Sequence, residues 1–372
     1  MEENVFRGRL NRAKQLLTAR DFAGVILFPS PNLFYLTGFD EEPAERHLFF
    51  IVTETDHAMV APMMYDEQIV EETYLDQIFA WDDGTDPMTV TAEAFDAVGL
   101  SGSDGTVLID DTMFARFMLD IRASLPNARF ALASELLTEL RITKDDTEID
   151  ALREAARYSD IVSTQIRGLG ADVIDMTERE LVEEIRSRFD EVGGEGFSFD
   201  PIVGSGPNGA KPHHRHGDRT IRSGEPVVLD FGTVVDGYPG DQTRTVVFDG
   251  EPPAEFERIH AVVRDAFDAA IQTVEPRVEA QEVDRAAREV IEEAGYGEQF
   301  THRTGHGLGL EVHEEPYIVE GNDRILEAGM VHSVEPGIYL DGQFGSRVED
   351  IVVVTNDGCE QLNESPRTWR PL

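Results

Sequence analysis

Cysteine is almost absent from these 372 residues: Cys359 stands alone. A single thiol excludes an internal disulfide framework and suits a reducing cytoplasm. Lysine is nearly as scarce. Lys14, Lys144 and Lys211 are the whole complement, and every other basic residue is arginine. No apolar run approaches the roughly 18 residues that a membrane-spanning helix needs, so no membrane partner is expected. The N-terminal stretch MEENVFRGRLNRAKQLL is charged and lacks the apolar core of a secretory signal. Positive charge as a whole is in deficit, with 32 Lys and Arg against 73 Asp and Glu, a net −41. Such a polyanion repels nucleic acid, which excludes that class of partner. The acids are spread along the chain among apolar periodic segments, so disorder is a poor reading. Abundant solvated carboxylates with few lysines match a surface adapted to high salt, where screening removes self-repulsion. The expected setting is the cytoplasm of a halophile.

With 41% hydrophobic residues over this length, the chain has material for two packed cores. The first part reads as alternating helices and strands. Phe6, Leu10, Ala13 and Leu17 give residues 4–20 one apolar helical face. GVILFP (24–29) reads as a buried strand, and HLFFIVTE (47–54) with HAMVAP (57–62) as a hairpin. Residues 65–78 and 112–124 read as helices, and GTVLID (105–110) as a strand. A new helix is expected to start at Asp145, Asp146 and Thr147, ahead of Ile149, Leu152 and Ala156. Glu178–Glu191, 253–275 and 281–294 read as helices, with strands near 331–340 and 346–354. The order of helices, strands, helices and strands hints at two similar halves. The boundary between the two parts is placed near residue 140.

The segment HRTGHGLGLEVHEEP (302–316) holds His302, His306 and His313 among glycines 305, 307 and 309. Position 317 is Tyr, so the H-E-x-x-H zinc helix is absent. Glycine at every second position also opposes a helix. Fully extended, residues 306 and 313 would lie about 23 Å apart, so serving one site requires the backbone to bend between them. The same half of the chain places acids inside apolar strands: Asp230 after Val227-Val228-Leu229, Asp241 before TRTVVF, Glu335 after Val334, and Glu349 after Val348. A buried carboxylate is expensive unless it is paired or holds a cation. Singly, each has an ordinary explanation, such as Asp230 capping a turn or Glu349 pairing with Arg347. Together with His306 they suggest a site for a pair of hard or borderline divalent ions. Asp236-Gly237 is a hairpin turn signal that would bring Asp230 and Asp241 to neighbouring positions, with Pro239-Gly240 as a candidate bulge.

LDFGTVVDGYPGDQTRT, HRTGHGLGLEVHE, VEPGIYL and RVEDIVVV, in that order and spacing, resemble the motif series of the pita-bread metallopeptidases. These comprise the Xaa-Pro dipeptidases (prolidases), the Xaa-Pro aminopeptidases and the methionine aminopeptidases. NLFYLTGF (32–39) and its surroundings resemble the creatinase/prolidase N-terminal domain. The resemblance implies an α+β fold, with a creatinase-type α/β domain over residues 1–140 and a pita-bread catalytic domain over 141–372.

It also implies metal ligands Asp230, Asp241, His306, Glu335 and Glu349, with Asp241 and Glu349 bridging two divalent ions. Mn²⁺ or Co²⁺ is expected, with Zn²⁺ as a further candidate. A metal-bridging hydroxide would attack the scissile carbonyl, and Glu335 would carry its proton to the leaving amine. His313 and His213, the latter in the basic loop KPHHRHGDR, match histidines that stabilise the tetrahedral intermediate and contact substrate. His214 and His216 are read as loop residues. His302 and Arg347 match positions near the proline end or the carboxylate of the substrate, although Arg347 also suits a role orienting Glu349. The implied activity is hydrolysis of an N-terminal Xaa-Pro bond in dipeptides or short peptides by a homodimer. The retained ligands argue against a metal-free creatinase-type member, and the N-terminal domain argues against a methionine aminopeptidase. Hydrolysis of another small amide, or an inactive binding homologue, are the alternatives.

Overall fold

The computed structural model describes residues 3–371. The chain falls into two compact units that divide between Arg141 and Ile142. The first runs through α1 (Glu3–Ala19), β1 (Phe22–Leu27), α2 (Pro31–Thr37), β2 (Phe49–Val52), β3 (His57–Pro62), α3 (Asp66–Glu72), β4 (Ile78–Trp81), α4 (Pro87–Ala97), β5 (Thr106–Ile109), α5 (Ala115–Ser124), β6 (Arg129–Leu132) and α6 (Ser134–Arg141). Its strands form one mixed sheet in the order β4-β3-β2-β1-β5-β6. The middle strands are antiparallel and both flanks are parallel. The stripe of Phe6, Leu10, Ala13 and Leu17 is buried along α1 as its spacing requires. The expected helix over 65–78 ends at Glu72, where Thr73 turns extended, and Ile78–Trp81 forms the edge strand instead. Four residues are too few to separate a strand period from a helical one.

The second unit begins with α7 (Asp146–Arg167), fixed by a capping box. Asp145 accepts from the Thr147 and Glu148 amides while Glu148 reaches back to the Asp145 amide. There follow α8 (Glu178–Val192), β7 (Ile202–Ser205), β8 (Val227–Phe231), β9 (Val234–Val235), β10 (Tyr238–Pro239) and β11 (Gln242–Val246). Then come α9 (Phe256–Thr273), α10 (Ala280–Glu293), β12 (Gly305–Gly307), β13 (Glu314–Ile318), β14 (Val331–Val334), β15 (Gly337–Leu340), β16 (Phe344–Arg347), β17 (Asp350–Val354) and β18 (Cys359–Gln361).

Two helix-on-sheet layers result. Val162, Ile166, Leu181, Ile185 and Phe189 of α7 and α8 pack on Val203, Leu229, Phe231 and Val246 of the antiparallel sheet β11-β8-β7. Ile259, Val263, Ala287 and Ile291 of α9 and α10 pack against Val334, Val352 and Val354 of the sheet β13-β12-β14-β17-β18. The helices-then-strands order therefore occurs twice. The two sheets are joined where Thr243 pairs with Glu349, whose amide donates to the Thr243 carbonyl at 3.1 Å.

Candidate active site

The acids of the first sheet are placed by a hairpin. Asp236 and Gly237 both take positive φ, 50° and 80°, the pairing a tight type I′ turn demands. From Val235 opposite Tyr238 the register runs unbroken to Asp230 opposite Thr243, so no bulge is inserted at Pro239-Gly240. Asp241 precedes Thr243 by two residues and therefore stands diagonally from Asp230 on one face. Both carboxylates are buried, 6% and 4% exposed.

A second hairpin answers the geometric question posed by HRTGHGLGLEVHE. Strand β12 pairs antiparallel with β13, Gly305 opposite Ile318 and Gly307 opposite Glu314. The turn between them brings the His306 and His313 rings to a centroid separation of 4.1 Å, nearly perpendicular. Gly305 and Gly307 are required by close approach rather than by an unusual backbone angle. A Cβ would stand 2.1 Å from the Ser333 carbonyl oxygen at the first and 2.3 Å from that of Glu315 at the second.

Glu335 sits in the break between β14 and β15, its amide donating to the Thr304 carbonyl at 2.7 Å. Its Oε1 lies 3.4 Å from His306 Nε2, and Asp241 Oδ2 lies 3.6 Å from the same nitrogen. Asp241, His306 and Glu349 each present a ligand atom within 4.8 Å of one another. All nine residues singled out from the sequence line one cavity of about 650 Å³: His213, Asp230, Asp241, His302, His306, His313, Glu335, Arg347 and Glu349. Every lining residue comes from the second unit.

Arg347 is 3% exposed and spends all three guanidinium nitrogens on protein. Nη2 meets Asp230 Oδ2 in a very short contact, Nε donates to Thr243 Oγ1 at 2.9 Å, and Nη1 donates to the Tyr339 hydroxyl at 2.8 Å. Thr243 passes the tether on by donating to Glu349 Oε2 at 2.6 Å. Tyr339 meets His302 Nε2 at 2.9 Å, and His302 Nδ1 reaches the Arg303 carbonyl at 2.7 Å. The residues are thereby linked in one chain from Asp230 to the backbone of Arg303. Thr243, Tyr339 and Arg303 went unremarked in the sequence, although each lies inside a quoted motif; only the folded partners reveal their use.

The electrostatics are those of crowded buried anions. Burial first, then the charges of Asp230 and Glu335, hold the Asp241 carboxyl well above its ordinary range. Burial, then Asp241 and the neighbouring acids, do the same to Glu349. Burial pushes Glu335 up to about 7 against the opposing pull of Arg347. Burial also lowers His306 well below its usual value, and His302 to about 3 with help from Arg347. Both imidazoles are therefore neutral at pH 7; His306 directs Nε2 at Asp241 and Glu335, whereas both ring nitrogens of His302 are taken by Tyr339 and the Arg303 carbonyl.

His213 is exposed on the loop after β7. A buried carboxylate at the start of α8 ties that loop down. Glu178 Oε1 accepts from the Ser205 amide and hydroxyl at 2.9 and 2.8 Å and from Asn208 at 3.0 Å. Its Oε2 meets His214 Nε2 at 2.8 Å and the Gly217 amide at 3.3 Å. His214 is thus an anchor of the loop, and His216 contacts the Pro201 carbonyl at 3.0 Å.

The sequence model of metallopeptidase family M24 matches residues 150–356, and that of the creatinase/prolidase N-terminal domain matches residues 9–143. The chain belongs to metallopeptidase family M24. A Mycobacterium tuberculosis protein described as a probable dipeptidase, PepE, is 38% identical over 98% of this metallopeptidase and 96% of its own length. A solved dipeptidase from Pyrococcus horikoshii is 40% identical with a TM-score of 0.91, covering 98% of this chain and 99% of its own. A solved prolidase from Thermococcus sibiricus is 37% identical with a TM-score of 0.92, and both chains are covered completely. The fold is accordingly a creatinase-type N-terminal unit followed by a pita-bread domain, and the protein is a peptidase.

The residues present suit a metal on their own terms. Asp230 Oδ1 is buried without a hydrogen-bond partner. Four carboxylates and one neutral imidazole form a hard-to-borderline O/N donor set. Among charged side chains, one arginine tied to the cluster does not balance four buried acids, and added cations would relieve the repulsion that raises Asp241 and Glu349.

Proposed function

We propose that this metallopeptidase hydrolyses the bond between an N-terminal residue and a following proline in dipeptides or short peptides. The observation that carries the reading is the convergence of the five candidate ligands and both candidate histidines on one cavity. Asp230, Asp241, His306, Glu335 and Glu349 would hold two divalent ions, with Mn²⁺ or Co²⁺ favoured by the carboxylate-rich set. Such ions supply a nucleophile near neutral pH by lowering the pKa of water, and polarise the attacked carbonyl.

The chain's own groups do the rest. Glu335 takes the proton of the attacking water and delivers it to the proline nitrogen. His313, held against His306, donates to the oxyanion that develops on the carbonyl. His213 approaches the same oxygen from the loop anchored by Glu178. Arg347 orients Asp230 directly and Glu349 through Thr243, a positioning role in place of a substrate contact. His302 braces Tyr339 and the Arg303 carbonyl.

The acidic composition supports a high-salt cytoplasm, and among the described residues no helix is long and apolar enough to cross a membrane. A homodimer is the assembly implied by the family resemblance, and sedimentation in molar salt tests it. Elemental analysis of protein purified in high salt tests the metal site. Two Mn or Co per chain in the wild type, lost in Asp241→Asn, is the expected result. Wild-type protein that binds no divalent ion would refute the reading.

A further inference from the structure

One of the chain's few lysines is spent inside the catalytic unit. Lys211 is exposed and Lys14 partly so, whereas the Lys144 side chain has no exposure at all. A lysine is almost never fully buried without a partner. Here the partner is Glu314: Lys144 Nζ donates to Glu314 Oε1 at 2.6 Å, and that carboxylate is itself largely buried. The lysine is presented from a fixed backbone. Its amide donates to the Gly329 carbonyl at 2.8 Å, Thr143 before it bridges to Met330, and Asp145 after it caps α7. A guanidinium in its place would bring five donors to the Glu314 carboxylate and the Ile142 carbonyl, which the compact ammonium meets with three.

Glu314 follows His313 directly, and its carboxylate turns back beneath the loop 308–313 that carries that histidine. Glu314 Oε2 accepts from the Glu311 amide at 3.4 Å. Glu314 Oε1 fills the space beside Gly309, where an added Cβ would stand 2.3 Å from it. Gly309 is not among the left-handed glycines, so its missing side chain makes room for Glu314 rather than for a backbone angle. The loop is therefore folded around a buried carboxylate whose charge Lys144 balances. The same loop sets the His313 ring 4.1 Å from that of His306.

We propose that Lys144 is a positioning residue: through Glu314 and Gly309 it sets the loop that aims His313 at the developing oxyanion. This rests on the role given to His313 above and adds to it a group that does not line the cavity. Without Lys144 the Glu314 carboxylate is left buried and unbalanced, so it swings out to water and the loop loses its filling. A misplacement of about 1 Å in a catalytic group can cost roughly a hundredfold in rate.

The test measures kcat and KM for an Xaa-Pro dipeptide on the full chain in molar salt with added Mn²⁺. Wild type, Lys144→Met, Gly309→Ala, His313→Ala and the two doubles with His313→Ala are compared. Gly309→Ala displaces the carboxylate while leaving the lysine in place, so it carries the test if Lys144→Met fails to fold. His313→Ala should lose roughly 100–1,000-fold in kcat, as for removal of one oxyanion donor. Lys144→Met and Gly309→Ala should each lose about ten- to a hundredfold in kcat with KM within about threefold of wild type. Added to His313→Ala, either should cost less than about threefold more, because the group it displaces is already gone. In metal-free protein, amide hydrogen exchange over residues 306–316 should quicken in both variants while α9 and α10 keep their protection. Losses that multiply with His313→Ala, kcat within about twofold of wild type in both variants, or unchanged exchange over 306–316 would overturn the proposal. An unaltered kcat in His313→Ala would instead overturn the His313 reading on which it rests.

Discussion

Replacing Glu178 by alanine removes the acceptor around which the His213 loop is folded. The carboxylate is fully buried and serves Ser205, Asn208, His214 and the Gly217 amide at once. Losing a buried charged acceptor that serves several donors costs about 3–5 kcal/mol, because the donors left behind remain desolvated. For a unit of this size that corresponds to a fall in Tm of roughly 6–20 °C. If the loop instead detaches and rehydrates, the thermal shift is smaller and the loop becomes open to protease at Arg215. Either way His213 loses its station. Thermal unfolding, limited trypsin digestion and a double-mutant cycle on kcat/KM between Glu178→Ala and His213→Ala are the assays. The clasp predicts that the two catalytic losses are far from additive, since the second substitution removes a group already displaced. A Tm within 2 °C of wild type, an intact loop and additive losses would refute it. The pH dependence has a defined sign. Burial alone would raise Glu178, but the bonds from Ser205, His214 and Asn208 prevail and lower it. A carboxyl lower in the folded state contributes stability above its unfolded pKa of about 4.3, and that contribution is lost as pH falls through the folded value.

Three further outcomes are expected. Glu335→Gln should abolish peptide turnover while leaving Tm close to wild type; substantial residual kcat would remove Glu335 from the proton transfer. His313→Ala should lower kcat more than it raises KM, because its bond to the oxyanion forms in the transition state, and a rise in KM alone would contradict that role. His260, between Ser346 and the Arg367 carbonyl, is lowered by burial to about 4. Its stabilising contribution is complete above about 6.5 and declines as pH falls from there to about 4, by roughly 3 kcal/mol. Denaturant titrations should therefore show a shallower acid loss in His260→Gln than in wild type, and parallel curves would refute the cause.

Much of this architecture is legible in local chemistry. The Asp236-Gly237 turn announces a hairpin, and the hairpin fixes the diagonal pair of acids. The Asp145 and Thr177 capping boxes mark where α7 and α8 begin. The four acids stand out because a carboxylate in an apolar strand needs a reason to be there. What escaped depends on distant partners. The glycines of β12 look like hinges, yet they are there because the Ser333 and Glu315 carbonyls press against them. Arg347 and Arg303 are both arginines beside a motif histidine or acid. Nothing in the sequence says that the first is saturated by Asp230, Thr243 and Tyr339 while the second is not. Glu178 looks like any acid in a first helical turn, and its burial under residues 205–217 is a property of the fold alone.

The most direct test of the central claim is a hydrolysis assay of the chelated and Mn²⁺-reloaded wild-type protein in molar salt. An Xaa-Pro dipeptide, a Met-initiated peptide without proline and a non-peptide amide serve as substrates. Turnover confined to the Xaa-Pro substrate, absent after chelation and restored by the metal, is the predicted result. Turnover that survives complete removal of metal, or that ignores the proline, would contradict the account.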